Sequence, residues 1–289
     1  MEYWIVFAFA SAIFAGLTAI LAKIGLKGVD SNLATALRTI VVLGFAWMVV
    51  LIVGSQNTIT EISDRTLIFL ILSGLATGAS WLCYFRAVQI GTVSKVTPID
   101  KSSTVLAMVL AFIFLGEGFT LWTIAGMILM VIGTYLMIQK MKTDTESSAS
   151  RKSWIFYASL AALFAALTAI LGKVGIEGVE SNLGTAIRTV VVLLMAWLIV
   201  FAQRKHKDIR KIEKRNWHFI ILSGIATGLS WLCFFYALQN GPASVVVPID
   251  KLSIVITIIF AFLILKERIS RIAVIGLVLI TAGTLVLLL

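Results

Sequence analysis

Asp100 and Lys101 stand side by side in TPIDKSS (97–103), and Asp250 and Lys251 do so again in VPIDKLS (247–253). A carboxylate and an ammonium inside apolar sequence can hold an ionic solute, exchange a proton, or tie helices together. Neighbouring residues on a helix point about 100° apart, so neither pair is expected to neutralise itself on one helical face. Each pair follows a proline, Pro98 or Pro248, which removes a backbone donor early in its segment. Arg38 and Arg188 are the other cations within apolar runs, and Lys23 and Lys173 stand near the ends of theirs. A charge at bilayer depth costs at least about 2.5–3.5 kcal/mol, so it is usually paired or faces a cavity.

Helical spacing extends the charged faces. Asp100, Ser103 and Ala107 share one, as do Asp250, Ser253 and Thr257. In SWLCYFRA (80–87) and SWLCFFYA (230–237), Trp81, Tyr84, Trp231 and Tyr236 are candidates to line a cavity. Their alternative role is an interfacial belt or plain helix packing. For Lys23 and Lys173, snorkelling and salt bridging stand level with function, whereas for the Asp–Lys pairs function is preferred. Gly74, Gly78, Gly126 and Gly133, with their counterparts, are expected to allow close helix contact. Glu117 and Glu267 are expected to act as interface anchors.

The elements that must position these residues are membrane spans. The 289 residues are 60% hydrophobic and 13% charged, with mean hydropathy +1.04. Soluble domains run at about 45–50% apolar and 25% charged. Apolar runs the length of a bilayer core recur throughout, which predicts an all-α integral membrane protein rather than a β-barrel. They fall at about 4–25, 33–53, 66–89, 95–115 and 119–139, then 154–175, 183–203, 217–239, 245–265 and 269–289.

The two sets of five are copies. LTAILAKIG (17–25) returns as LTAILGKVG (167–175), and SNLATALRTIVVL (31–43) as SNLGTAIRTVVVL (181–193), both 150 residues on. The division is a first five-helix repeat (1–140), a polar linker (141–152) and a second repeat (153–289). Because five is odd, the second copy enters the membrane from the other side. With the first connection placed inside, eighteen of the 24 lysines and arginines lie inside, and only Arg65 and Lys173 outside. Loops 54–65 and 204–216 carry one basic residue against seven, as an inverted repeat requires. Both termini are therefore expected outside the cytoplasm. The first half can gather Lys23, Arg38, Asp100 and Lys101 toward the inside, and the second Lys173, Arg188, Asp250 and Lys251 toward the outside.

The net charge of +10 sits mostly in short loops between spans, so topology explains it and no nucleic-acid partner is expected. His206 and His218 accompany no nucleophile or metal ligands, and no phosphate-cradling glycine loop occurs. Neither an enzyme nor a cofactor is expected. Cys83 and Cys233 fall within spans and read as small buried hydrophobes.

Ten spans in two inverted halves, with a proline early in each fourth span and FLGE or LKE at its end, resemble the EamA type of the drug/metabolite transporter superfamily. The resemblance covers essentially the whole chain. It implies a basket of ten helices around a central cavity lined by the first, third and fourth spans of each half. On this sequence that points to Lys23, Trp81, Asp100, Lys173, Trp231 and Asp250. Ten-span relatives are usually drawn with both termini in the cytoplasm, the reverse of what these loop charges argue. The resemblance implies a small-molecule substrate carried across the cytoplasmic membrane, and a monomer or homodimer is the expected working unit. A carboxyl group in a partly dry site can exchange a proton with substrate, so Asp100 or Asp250 makes protons a candidate coupling ion. If Lys101 and Arg38 hold Asp100 ionised throughout, a uniporter or exchanger results. Summed as ions, Lys23, Arg38, Asp100 and Lys101 are cationic, which favours an amino acid or organic anion. A non-transporting membrane scaffold or sensor, and a flippase of lipid-linked substrates, remain the other readings.

Overall fold

The computed structural model describes residues 3–25, 28–90, 99, 102–138, 148–257, 259 and 271–288, and no strand occurs among them. In chain order the helices are α1 (Tyr3–Gly25), α2 (Ser31–Val53), α3 (Asp64–Ile90), α4 (Ser103–Leu115), α5 (Leu121–Ile138), α6 (Ser148–Gly175), α7 (Ser181–Ala202), α8 (Lys214–Asn240), α9 (Ala243–Lys251) and α10 (Arg271–Val286). Short 3-10 helices, Ser55–Glu61 and Lys205–Lys211, follow α2 and α7. Six helices (α1, α2, α3, α6, α7 and α8) contain stretches long and apolar enough to cross a membrane. Shorter apolar segments lie in α4, α5 and α10. The expected ten spans thus meet the full length criterion in six cases among the described residues. Helix α6 begins at Ser148, inside the expected linker.

Equivalent residues start equivalent helices. Asp30 accepts from the amides of Asn32 (3.0 Å) and Leu33 (3.1 Å) at the head of α2. Glu180 does the same for Asn182 (2.9 Å) and Leu183 (3.0 Å) at the head of α7. Each cap satisfies amides that the first helical turn leaves unpaired. Among the described residues the ninth segment is not one continuous helix. Pro248 lies within α9 and cannot donate to the helical ladder. The chain tightens at Leu252, whose amide bonds the Ile249 carbonyl at 3.0 Å, and helix resumes over 253–257. The same tightening occurs at the equivalent Ser102, whose amide bonds the Ile99 carbonyl at 3.1 Å.

The halves interleave. Helix α1 packs on α8 and α6 on α3, while α2 meets α7, α4 meets α9, and α5 meets α10. Small residues permit this closeness. A Cβ on Gly74 would come within 2.7 Å of Val191, and one on Gly224 within 2.7 Å of Val41. In the α5–α10 seam a Cβ on Gly133 would lie 2.6 Å from the Gly276 carbonyl oxygen.

The second half is inverted. Lys205 lies 3.9 Å from Asp30, and Asn32 donates to Gln203 at 2.7 Å, so connections 28–30 and 203–212 share one end of the bundle. Thr66 donates to the Glu177 carbonyl at 3.4 Å, which joins loop 54–65 to connection 176–180. The full length of α2, about 35 Å for 23 residues, separates these two ends.

Candidate functional site

A cavity of about 240 Å³ opens between the halves. At about 30 Å³ per water it holds roughly eight waters, the scale of a small metabolite. Its walls come from α1, α3, α4, α6, α8 and α9, the spans that the resemblance assigns to a central cavity, and α7 adds Arg188. Of the residues singled out from sequence, Trp81, Ser103, Arg188, Trp231, Asp250 and Lys251 line it. One cavity therefore draws on both halves, where sequence had suggested a separate cluster in each.

Arg188 dominates the wall. It is 1% exposed. Its Nε donates to Ser73 Oγ at 3.3 Å and its Nη2 to Thr77 Oγ1 at 2.9 Å. Its Cζ lies 4.2 Å from the Phe235 ring centre and 5.2 Å from that of Trp231, within cation–π range. No carboxylate pairs with it among the described residues. Arg38, its counterpart, is half-buried and makes no such contacts among the described residues.

Asp250 accepts from Ser11 Oγ at 2.7 Å, and Ser230 Oγ donates to the Ser11 carbonyl at 3.1 Å. Lys251 Nζ stands 3.6 Å from Asp250 Oδ2. The expectation that neighbours cannot pair is therefore corrected. Helix α9 ends beside the pair, and the four-carbon lysine stem bends back across the 100° offset. The position equivalent to Ser11 is Ala161, so that site carries no hydroxyl.

The remaining candidates sit elsewhere. Lys173 Nζ donates to the carbonyls of Leu238 (3.0 Å) and Gly241, closing the C-terminal end of α8. Tyr236 stacks against Phe7 at 4.3 Å between ring centres. Four residues along a helix from Trp231, Phe235 returns to the same face, whereas Tyr236 at five does not. Tyr84 packs with Ala87, Trp154 and Ala158 in the α3–α6 seam. Ser253 follows the break at Leu252, its carbonyl abuts Gly16 of α1, and it does not line the cavity that Asp250 and Lys251 line. Asp100, Lys101 and the side chain of Lys23 lie outside the described residues, as does Glu267. Glu117 is an anchor: its carboxylate accepts from the amides of Ala243 (2.7 Å) and Ser244 (2.8 Å), capping α9 of the other half.

Sequence reasoning missed Ser11, Ser73, Thr77 and Phe235. The signal was present in α3, where Ser73, Thr77 and Ser80 recur at helical spacing through an apolar segment.

A multi-pass helical bundle around a small charged cavity is the architecture of a membrane transport protein. The chain belongs to the EamA-like transporter family, whose model matches residues 2–139 and again 152–289. An uncharacterized transporter in the cobO 3' region of Sinorhizobium sp. is 46% identical over 136 residues. That match covers 47% of this chain and 96% of the relative, a protein about the size of one repeat. The uncharacterized transporter YxxF of Bacillus subtilis (strain 168) is 26% identical over 199 residues, 68% of this chain and 60% of its own. The fold matches a solved crystal structure of a protein at TM-score 0.83, with 14% identity, over 99% of this chain and 96% of that one.

Proposed function

We propose that this protein is a secondary transporter that carries a small polar metabolite, an amino acid or organic anion, across the cytoplasmic membrane by alternating access. The buried Arg188 carries this reading. It faces a cavity with hydroxyl and aromatic partners but no carboxylate among the described residues. A cation at that depth needs compensation, and an anionic solute supplies it.

The inverted packing supports alternating access, because two interleaved copies around a shared cavity can rock to open either end. Loop charge supports termini outside the cytoplasm. Asp250, held by Ser11 and Lys251, is the proposed site of proton exchange. Uptake into proteoliposomes, with and without an imposed pH gradient, tests both parts. Saturable uptake supports transport, and acceleration by the gradient supports coupling. Uptake indifferent to the gradient removes the proton and leaves a uniporter or exchanger.

A further inference from the structure

Resting on that transport reading, we infer that Arg188 takes the carboxylate of a small solute end-on, and that Ser73 and Thr77 are positioning residues that reserve this edge of the guanidinium. Arginine has five N–H donors in a planar fork. The Nε edge is occupied: Nε–H goes to Ser73 and one Nη2–H to Thr77. These two hydroxyls stand one helical turn apart on α3 and so face the same way. Their own protons are committed, Ser73 to the Thr168 carbonyl at 2.8 Å and Thr77 to the Ser73 carbonyl at 2.9 Å. Only oxygen lone pairs therefore meet the guanidinium, which fixes its plane. Phe235, at 4.2 Å, lies against that plane.

Both hydrogens of Nη1 and the second of Nη2 remain, and no acceptor takes them among the described residues. They form the end-on fork of a side chain that lines the cavity. Two parallel N–H donors match the two oxygens of a carboxylate. Charge selects further. Among the described lining residues Arg188 and Lys251 are positive and Asp250 is negative, a net +1 that a monoanion neutralises and a phosphate dianion overshoots.

The other walls define the rest of the solute. Ser80 donates to the Ala161 carbonyl at 2.9 Å, Thr168 to the Phe164 carbonyl at 2.9 Å, and Ser230 to the Ser11 carbonyl at 3.1 Å. Each hydroxyl spends its proton inside the protein and offers the cavity an acceptor. The solute that fits is a small monoanionic carboxylate that also carries an uncharged donor such as a hydroxyl.

The test is ligand-dependent thermal stabilisation of the purified full-length protein, using lactate, L-alanine, propionate, inorganic phosphate and methylammonium. Lactate should stabilise the wild type saturably, with propionate weaker for want of the hydroxyl, the net-neutral zwitterion L-alanine weaker for want of net charge, and phosphate and methylammonium inert. Arg188→Lys, which keeps charge but loses the fork, should lose this response. Should that variant not fold, Thr77→Val decides: it should weaken carboxylate binding about tenfold, the scale of one hydrogen bond to a charged group, and Thr77→Ser should restore it. Equal behaviour of Thr77→Val and Thr77→Ser, or no carboxylate response in the wild type, overturns the inference. Proteoliposomes separate it from the transport reading. Uptake of a sugar or amine that is independent of Arg188 leaves transport standing and defeats the carboxylate fork. Carboxylate binding that depends on Arg188, without uptake, does the reverse.

Discussion

At the scale of single residues, the buried charges divide into those that face the cavity and those that close helices. Lys173 belongs to the second group, because its ammonium binds carbonyls at the end of α8. Lys173→Met should lower stability by about 1–2 kcal/mol, the worth of charge-assisted hydrogen bonds at a helix terminus. Solute binding by the folded fraction should stay near wild type, and thermal unfolding beside a binding isotherm checks both. Phe235 belongs to the first group. Phe235→Leu keeps an apolar side chain but removes the ring beneath Arg188. It should weaken anion binding by about 0.5–2 kcal/mol, which a titration on the purified protein measures. Sequence distinguished these groups only partly. The types Lys, Arg and Asp at bilayer depth were legible, since each departs sharply from an apolar background. Which way each side chain reaches was not. Lys173 turns to a helix end, and Lys251 folds back onto its neighbour, because a long flexible stem overrides the direction its Cα sets.

At the scale of elements, the helices were legible nearly to their ends. Expected spans at 33–53, 66–89 and 183–203 became Ser31–Val53, Asp64–Ile90 and Ser181–Ala202. The break after Lys251 was not legible as a break: Pro248 announces disturbance but not where the ladder tightens. Seams between elements rest on glycine, and their tolerance should follow what surrounds each one. A Cβ on Gly44 meets nothing within 4 Å, whereas one on Gly133 meets the Gly276 backbone oxygen at 2.6 Å. Open space accepts a methyl group and a helix backbone does not. Gly133→Ala should therefore cost about 1–3 kcal/mol, the range for overpacking, whereas Gly44→Ala should cost nothing or gain about 0.5–1 kcal/mol, because glycine weakens a helix interior. Melting temperatures of the two variants, measured side by side, check the order. Arg204 holds the left-handed conformation (φ 56) that Gly54 takes at the equivalent turn (φ 81). Arg204→Gly should therefore raise stability by about 1 kcal/mol, readable in the same measurement.

At the scale of the whole molecule, the duplication explains both architecture and site. Inverted copies bring α3 of one half against α6 and α7 of the other, which is why Ser73 and Thr77 of the first repeat orient Arg188 of the second. The repeat itself was legible from SNLATALRT and SNLGTAIRT. Its asymmetries were not: Ser11 against Ala161 is a single unremarked difference in sequence, yet only one of them can hold a carboxylate. Because most seams cross between halves, a protease site placed in linker 141–147 should leave the cleaved halves together on size-exclusion chromatography in mild detergent. The central claim is that the cavity around Arg188 and Asp250 is the solute path, and paired uptake and unfolding measurements on Asp250→Asn test it most directly. Asparagine keeps the size and an acceptor oxygen but removes the charge. The account predicts that uptake into proteoliposomes falls at least about tenfold, a loss worth about 1.4 kcal/mol, while the melting temperature stays close to wild type. Uptake that persists, or that declines only in step with unfolding, would contradict it and leave the charge pair as a structural tie.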